Sequence, residues 1–400
     1  MADSSSSGQE VVFNSSVDQM LENMPVGSVS KAIGNNMYGV NFRQTGNPVP
    51  RAKDMYGFTF FTRPQLNLTR MNITNYRGFY NLLTDNMTSY QAFTRLMLDP
   101  RLQHVGQLIC PFADKNNAFI PILTNNIQSL SGWPDLTAPT YTSEAGQFGE
   151  EHSMVDGVTN HFESFDLDVT FKNTKGNPLI YFFYIWIKYQ TLVFEGILNP
   201  YIDMITENEI DYNTRIYRLV LDQQKRYVTY IGSTGASFPM NVPTGSLFDF
   251  NVDTPFNTRN TEINIRFKSM GFCAFEDILK LEFNKTQAIF NSDIRNILKH
   301  DLKDSISDSQ KARDDGVTVY RIPGCNYVKI PHFLAMSMDT SVFSNSFFSV
   351  NHRAYPYINL VTNELEWWVD ERRFKQSNEK DFKNMVEKNG LPSNDLPYDG

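Results

Sequence analysis

The chain has 400 residues, enough to bury a large core and to form more than one structural unit. Its formal net charge is -8, from 36 Lys and Arg against 44 Asp and Glu, which argues against the clustered positive charge that tight nucleic-acid binding needs. Aromatic residues reach 14%, with 31 Phe and 19 Tyr, a composition suited to β-structure and broad contact surfaces.

Residues 1–50 are polar and rich in Ser, Asn, Gly and Pro, and read as a flexible or partner-bound arm. The first residues hold no basic stretch followed by an apolar one, so no signal peptide is expected. No apolar run of about 18 residues occurs, so no transmembrane helix or membrane insertion is expected. The Asn-x-Ser/Thr triplets at Asn67, Asn72, Asn86 and Asn284 read as chance in an Asn-rich chain. Phe58 to Pro64 and Gln65 to Leu68 predict a strand interrupted by proline. The spacing of Phe79, Leu82, Leu83, Met87, Tyr90, Phe93, Leu96 and Met97 predicts helix over 76–98, stopped by Asp99-Pro100. Phe119 to Leu123 and Ile127 to Leu130 open a β-region. A long loop over 131–164 follows, and loops of that length are functional or disordered. Phe165 to Phe171 alternates apolar and polar residues as a strand with one wet face does. Leu179 to Tyr189 is apolar on both faces. It reads as a fully buried segment, either a helix packed on a sheet or a strand covered on both sides.

Arg215 to Asp222 and Arg226 to Gly232 are two β-rich runs joined by a short polar turn. A Gly- and Pro-punctuated loop is expected from Ser233 to Pro243, then a short strand over Ser246 to Asn251. Glu262 to Lys268 alternates strictly. Ile263, Ile265 and Phe267 are expected in the core, with Glu262, Asn264, Arg266 and Lys268 on the wet side. Thr286 to Lys303 predicts a helix, Asp301 to Gly316 a linker, Val317 to Val350 further β-structure, and 371–400 a polar tail. The expected fold class is mainly β within an α+β chain, with flanking helices. The division is 1–50 arm, 51–275 core, 276–370 helix plus additional β-region, and 371–400 tail.

Chemistry is hard to find. Cys110, Cys273 and Cys325 are odd in number, far apart and without zinc spacing, and read as buried thiols in a reducing compartment. Glu150, Glu151, His152, Asp156, His161, Glu163, Asp166 and Asp168 gather His and carboxylates, but in no recognised ligand pattern. No nucleophile elbow, phosphate loop or dinucleotide fingerprint occurs. Trp367-Trp368 beside Glu364, Glu366 and Asp370 reads as a packing anchor, with a carbohydrate-stacking surface as the alternative. No catalytic residue, metal site or cofactor is expected.

The order of pieces from Phe119 to Phe272 resembles the tail-tube fold of contractile bacteriophages and related injection machines. A strand, a long loop and a strongly alternating strand match Phe119 to Leu130, 131–164 and Phe165 to Phe171, and Leu179 to Tyr189 matches the buried segment that follows. Gly235-Ala-Ser-Phe238-Pro239, Leu247 to Asn251 and Glu262 to Phe272 match the C-terminal half, and Asp54 to Leu68 is similar to the opening strand. The resemblance implies a non-enzymatic virion structural protein with an antiparallel β-barrel or sandwich core and N- and C-terminal extensions. It implies hexameric rings of the chain stacked into a tube with a continuous β-barrel wall, and a lumen that passes double-stranded DNA during ejection without specific binding. It also implies sheath or baseplate partners. On it, Asp166, Asp168, Thr170, Glu262, Asn264 and Arg266 are expected to face the channel, and Trp133, Phe148, Glu150, Glu151 and Met154 to lie on an inter-subunit loop. The alternatives are a baseplate or glycan-binding receptor module and, behind it, a cytosolic hydrolase.

Overall fold

A computed structural model describes residues 56–104, 110, 113–157, 163–174, 176–248, 262–303, 310–314, 317–321, 325–329 and 354–371. The expected arm at 1–50, the end of the strand expected at Ser246 to Asn251, His161, most of 317–350 and nearly all of the tail lie outside them. In chain order the elements are β1 (Tyr56–Phe61), α1 (Arg70–Ile73), a 3-10 helix (Arg77–Leu82), α2 (Tyr90–Leu98), α3 (Arg101–His104), α4 (Pro121–Asn126), β2 (Ile127–Ser131), β3 (Thr140–Thr142), β4 (Ser153–Val155), β5 (Ser164–Lys172), α5 (Pro178–Phe194) and α6 (Ile202–Glu207). There follow β6 (Ile216–Leu221), β7 (Val228–Pro239), a 3-10 turn (Gly245–Leu247), β8 (Glu262–Ala274), α7 (Ile278–Phe290), α8 (Ser292–Lys303), β9 (Gln310–Asp314), β10 (Val317–Arg321), β11 (Tyr327–Lys329), β12 (Ala354–Ile358) and β13 (Leu365–Asp370).

The fold class is mixed α+β. A six-stranded antiparallel sheet runs β1-β6-β7-β8-β5-β2, and a five-stranded sheet runs β12-β13-β11-β10-β9. Among the described residues the larger sheet is open, with β1 and β2 at its edges, and closes no barrel. The alternation read in β5 and β8 sets its geometry. Leu167, Val169, Phe171, Ile263, Ile265 and Phe267 are buried, while the residues between them are exposed or half-buried. The two strands pair in one unbroken register from Ser164↔Met270 to Lys172↔Glu262.

The apolar side of β5 and β8 is covered by α5. Pro178 opens that helix, and Leu179, Phe182, Phe183, Ile185, Trp186, Tyr189 and Leu192 are buried along it. Phe183 meets Phe171 and Phe267 at ring-centroid distances of 5.6 and 5.9 Å, which fixes the helix on the sheet. Of the two expectations for Leu179 to Tyr189, the helix is the one found. It is apolar nearly all round because α2 and the loops beside it cover its other side.

β1 is buried on both faces. Phe61 joins the core under α5, whereas Phe60 points the other way and packs with Phe119, Tyr217 and Phe283. This second core lies between the β1–β6–β7 end of the sheet and α7 with β12 and β13. Trp367 and Trp368 are each 3% exposed within the packing of that C-terminal sheet, so they are anchors and offer no stacking platform. Arg226 pairs with Glu364 at 2.8 Å, the Val228 amide donates to the Asn363 carbonyl, and the Leu365 amide donates to the Arg226 carbonyl. Arg63, 4% exposed, gives its guanidinium to the carbonyls of Leu96, Met97, Asp114 and Asn117, tying β1 to α2 and the segment before Phe119. Burial lowers its pKa to about 10, so it stays charged.

Several expectations are corrected. The helix expected over 76–98 is split. The Asn86 side chain accepts from the Thr88 amide and breaks the run, and Ser89 then caps α2 by accepting from the Ala92 amide at 3.2 Å. Phe119 makes only a bridge to Thr62, and Pro121 starts α4 where a strand was expected. The loop expected from Ser233 is strand through Pro239, because its small residues let β8 come close: a Cβ on Gly235 would lie 2.8 Å from the Met270 carbonyl oxygen. Gly271 bends β8 there with φ of +69°. Gly245–Leu247 is a 3-10 turn in place of the start of a strand. Within the expected linker, residues 310–314 pair with 317–321 as a hairpin. Among the described residues no helix is long and apolar enough to cross a membrane.

Candidate functional site

The wet face of β5 and β8 gathers all the residues expected to face a channel. Asp166, Asp168 and Thr170 stand on β5 opposite Lys268, Arg266 and Asn264 on β8, and Lys172 stands opposite Glu262. Lys268 Nζ lies 2.9 Å from Asp166 Oδ1, and Arg266 Nε lies 2.9 Å from Asp168 Oδ1. Thr170 Oγ1 donates to Asn264 Oδ1 at 2.8 Å. The hydrogen bond and charge of Asp168 raise the Arg266 guanidinium above its ordinary pKa. β2 extends the face with Ser129 and Ser131, which pair with Thr170 and Asp168.

This ladder corrects one part of the sequence reading. Taken alone, β5 presents an acidic face. In the sheet, Asp166, Asp168 and Glu262 are matched by Lys268, Arg266 and Lys172, three against three. The face is therefore polar and self-neutralised. Lys268 was expected on the wet side but not among the channel-facing residues, and Lys172 was not expected on the face at all. Their signal was present in the opposite-sign alternation of Asp-x-Asp and Arg-x-Lys at the same period of two. Such exposed pairs add little stability, so their value lies in the surface they make.

The segment expected as an inter-subunit loop is more ordered than a loop. β3 and β4 pair from Thr140↔Val155 to Thr142↔Ser153, and His152 N donates to Ser143 Oγ at 3.0 Å. Every residue of the two strands is exposed, so no amphipathic alternation marked them in the sequence. Phe148, at the tip, is 91% exposed, and Glu150 accepts from its amide at 2.8 Å. Glu151 and Met154 are exposed as well. Trp133 is placed differently. It is half-buried against Phe165 and Phe272 of the same chain, with ring centroids 6.3 and 5.2 Å away. Gly132, at φ +101°, lets the chain pass over the Asp166 carbonyl to reach that position.

Glu150, Glu151, His152 and Asp156 stay on the exposed hairpin, while Asp166 and Asp168 are engaged on the sheet. Among the described residues no three His, Cys, Asp or Glu side chains are grouped so that they could hold a metal ion. A polar groove at the β6 end of the sheet is lined by Arg63, Glu209, Asp211 and Arg215 among others. Three of these charged groups are already engaged: Arg63 by backbone carbonyls, Asp211 by the Tyr189 hydroxyl and Arg215 by Glu282.

A family described as "Putative phage tail tube protein" matches residues 5–345. No curated protein matches. Among solved structures, the chain is similar to the tube-terminating cap of the anti-feeding prophage, at 14% identity over 39% of this chain and 81% of that one, with a TM-score of 0.24. It is similar to the sheath/tube terminator of the extracellular contractile injection system PVC in its extended state, at 13% identity, 40% and 87% coverage and a TM-score of 0.22. The sheath-tube complex of the same system gives 15% identity, 39% and 82% coverage and a TM-score of 0.22. Overlaps of this size carry no argument about mechanism.

Proposed function

The chain belongs to the phage tail tube protein family, and on that premise we propose that it is a non-catalytic subunit of the virion tail, assembling with its own copies into stacked hexameric rings whose lumen conducts the genome during ejection. The observation that carries this reading is the wet face of β5 and β8. It is a continuous strip of paired polar side chains on a sheet whose other side is sealed by α5. A strip of that kind suits the wall of a water-filled channel. Asp166 and Asp168 pair with Lys268 and Arg266, and Glu262 stands opposite Lys172, so the charges of the strip balance and a passing duplex meets no net positive surface that would hold it. The open edges at β1 and β2 support sheet closure between subunits, because a free edge is a liability that pairing removes. The exposed hairpin of β3 and β4 supports reach to a neighbouring subunit.

In this reading α7, α8 and the C-terminal sheet lie outside the channel wall, towards a sheath or baseplate. Ile278 and Ile289 on α7, 55% and 72% exposed, supply apolar surface for such a partner. The arm at 1–50 and the tail at 371–400 are proposed as partner-bound extensions of the core at 51–275 and the added region at 276–370. A baseplate position in place of the main tube keeps the same architecture. Glycan recognition through Trp367 and Trp368 finds no support in their burial. Electron cryomicroscopy of the purified chain tests the proposal: stacked six-fold rings uphold it, and a persistent monomer at high concentration overturns it.

A further inference from the structure

Residues 131–164 contain Asp135, Glu144, Glu150, Glu151, Asp156 and Glu163, and not one Lys or Arg. The described part of this segment projects a hairpin whose strands are exposed throughout and whose tip carries Phe148, 91% exposed. The hydrogen bonds described within 140–156 return to the hairpin itself or to Pro139 at its base. An isolated two-stranded hairpin is marginally stable in water, and one with a single sign of charge and a bare aromatic tip is stabilised by a partner.

A surface of the opposite character lies on the same chain. From Leu66 to Thr84 there is no acidic residue, and Arg70 and Arg77 are both exposed there. Among the described residues neither forms a salt bridge. Lys188 of α5 joins them, its Nζ 5.6 Å from the ring centroid of Tyr76. Met71, 85% exposed, and Tyr80, 50% exposed, belong to the same segment, with the Tyr80 hydroxyl donating to the Thr74 carbonyl. Exposed cations and apolar side chains on one segment are the complement of carboxylates on a hairpin that carries an exposed phenylalanine.

We infer that the β3–β4 hairpin of one copy docks on the Arg70, Arg77 and Lys188 surface of a second copy, with its carboxylates on the cations and Phe148 against Met71 and Tyr80. The inference rests on the reading of the hairpin as an inter-subunit element and names its receptor. Donor and receptor are different surfaces, so the contact is heterologous and either closes into a ring or propagates along a stack. It weakens with salt, because the charges involved are exposed.

The test uses the full chain and measures the concentration at which it assembles, by sedimentation and electron microscopy, at low and high ionic strength. Arg70→Glu with Arg77→Glu, and separately Glu150→Lys with Glu151→Lys, are each expected to raise that concentration at least about tenfold. Combining all four is expected to restore most of it, as re-paired charges do. Normal assembly of the arginine variant, or a combined variant no better than its parents, overturns the inference. Deleting Gly146 to Asp156 separates the two levels. Loss of assembly on deletion with normal assembly of the arginine variant sinks only the receptor. Normal assembly of the deletion sinks the inter-subunit reading of the hairpin as well, as does a wild-type chain that never assembles. All four substituted side chains are exposed, so far-ultraviolet circular dichroism should be unchanged. If the deletion fails to fold, the glutamate variant serves in its place.

Discussion

Phe183→Ala tests the packing that leaves one sheet face wet. Phe183 is fully buried on α5 and meets four aromatic rings: Phe171 at 5.6 Å, Phe182 at 5.7 Å, Phe267 at 5.9 Å and Trp186, nearly parallel to it, at 6.2 Å. Truncating such a ring costs about 3–5 kcal/mol, the lost transfer energy plus the cavity left behind. That is a fifth or more of a typical total stability of roughly 5–15 kcal/mol. Phe194, at the end of the same helix, is 94% exposed, and Phe194→Ala should change monomer stability by no more than about 0.5 kcal/mol. Urea unfolding at a concentration where the chain is monomeric reads both. The Phe183 midpoint should fall with little change in slope, and the Phe194 midpoint should hold. Equal losses at the two positions, or a Phe183 loss near zero, would refute the docking of α5 on β5 and β8. The assignment of the wet face would fall with it.

Two other predictions concern charge. Asp99 is fully buried; burial pushes its pKa up to about 6, against the hydrogen bonds it accepts from the Tyr201 hydroxyl and the Leu68 amide. The folded chain therefore holds this proton more tightly than the unfolded chain, and stability from this group is full below about pH 4 and lost as pH rises to about 6, by roughly 3 kcal/mol. Asp99→Asn should flatten the unfolding profile across that window relative to wild type, and a profile with the same slope in both proteins would show the carboxyl to be ionised throughout. Replacing Asp166 and Asp168 by Lys sets like charges opposite Lys268 and Arg266 and turns the balanced face positive. Assembly should survive, genome ejection should slow, and added salt should relieve the defect by screening; unchanged ejection at low salt would remove this face from the channel.

The parts of the fold that were legible in the sequence are those with a period. β5 and β8 alternate because one face is buried and the other wet, and α5 is apolar all round because it is covered on nearly every side. What was hidden depended on pairing between distant segments. The register that sets Asp166 against Lys268 joins residues 102 positions apart, so β5 alone reads as acidic when the sheet is neutral. β7 runs on past Gly235 although glycine and serine disfavour strands, because the approach of β8 outweighs their propensity. The hairpin at 140–155 buries none of its strand side chains, so its sequence carries no hydrophobic pattern to read. Of the candidate residues, Asp166, Asp168, Thr170, Glu262, Asn264 and Arg266 share one sheet face, and Trp133 is half-buried beside Phe165 and Phe272.

The central claim is that the β5–β8 face lines a channel made by copies of this chain. Electron cryomicroscopy of the assembled protein, at a resolution that shows side chains, measures this directly. The expected result is stacked six-fold rings in which Asp166, Asp168, Thr170, Glu262, Asn264 and Arg266 point into an open lumen and α5 lies behind them. A ring in which those side chains meet an outer protein layer, with α5 turned to the lumen, would contradict it.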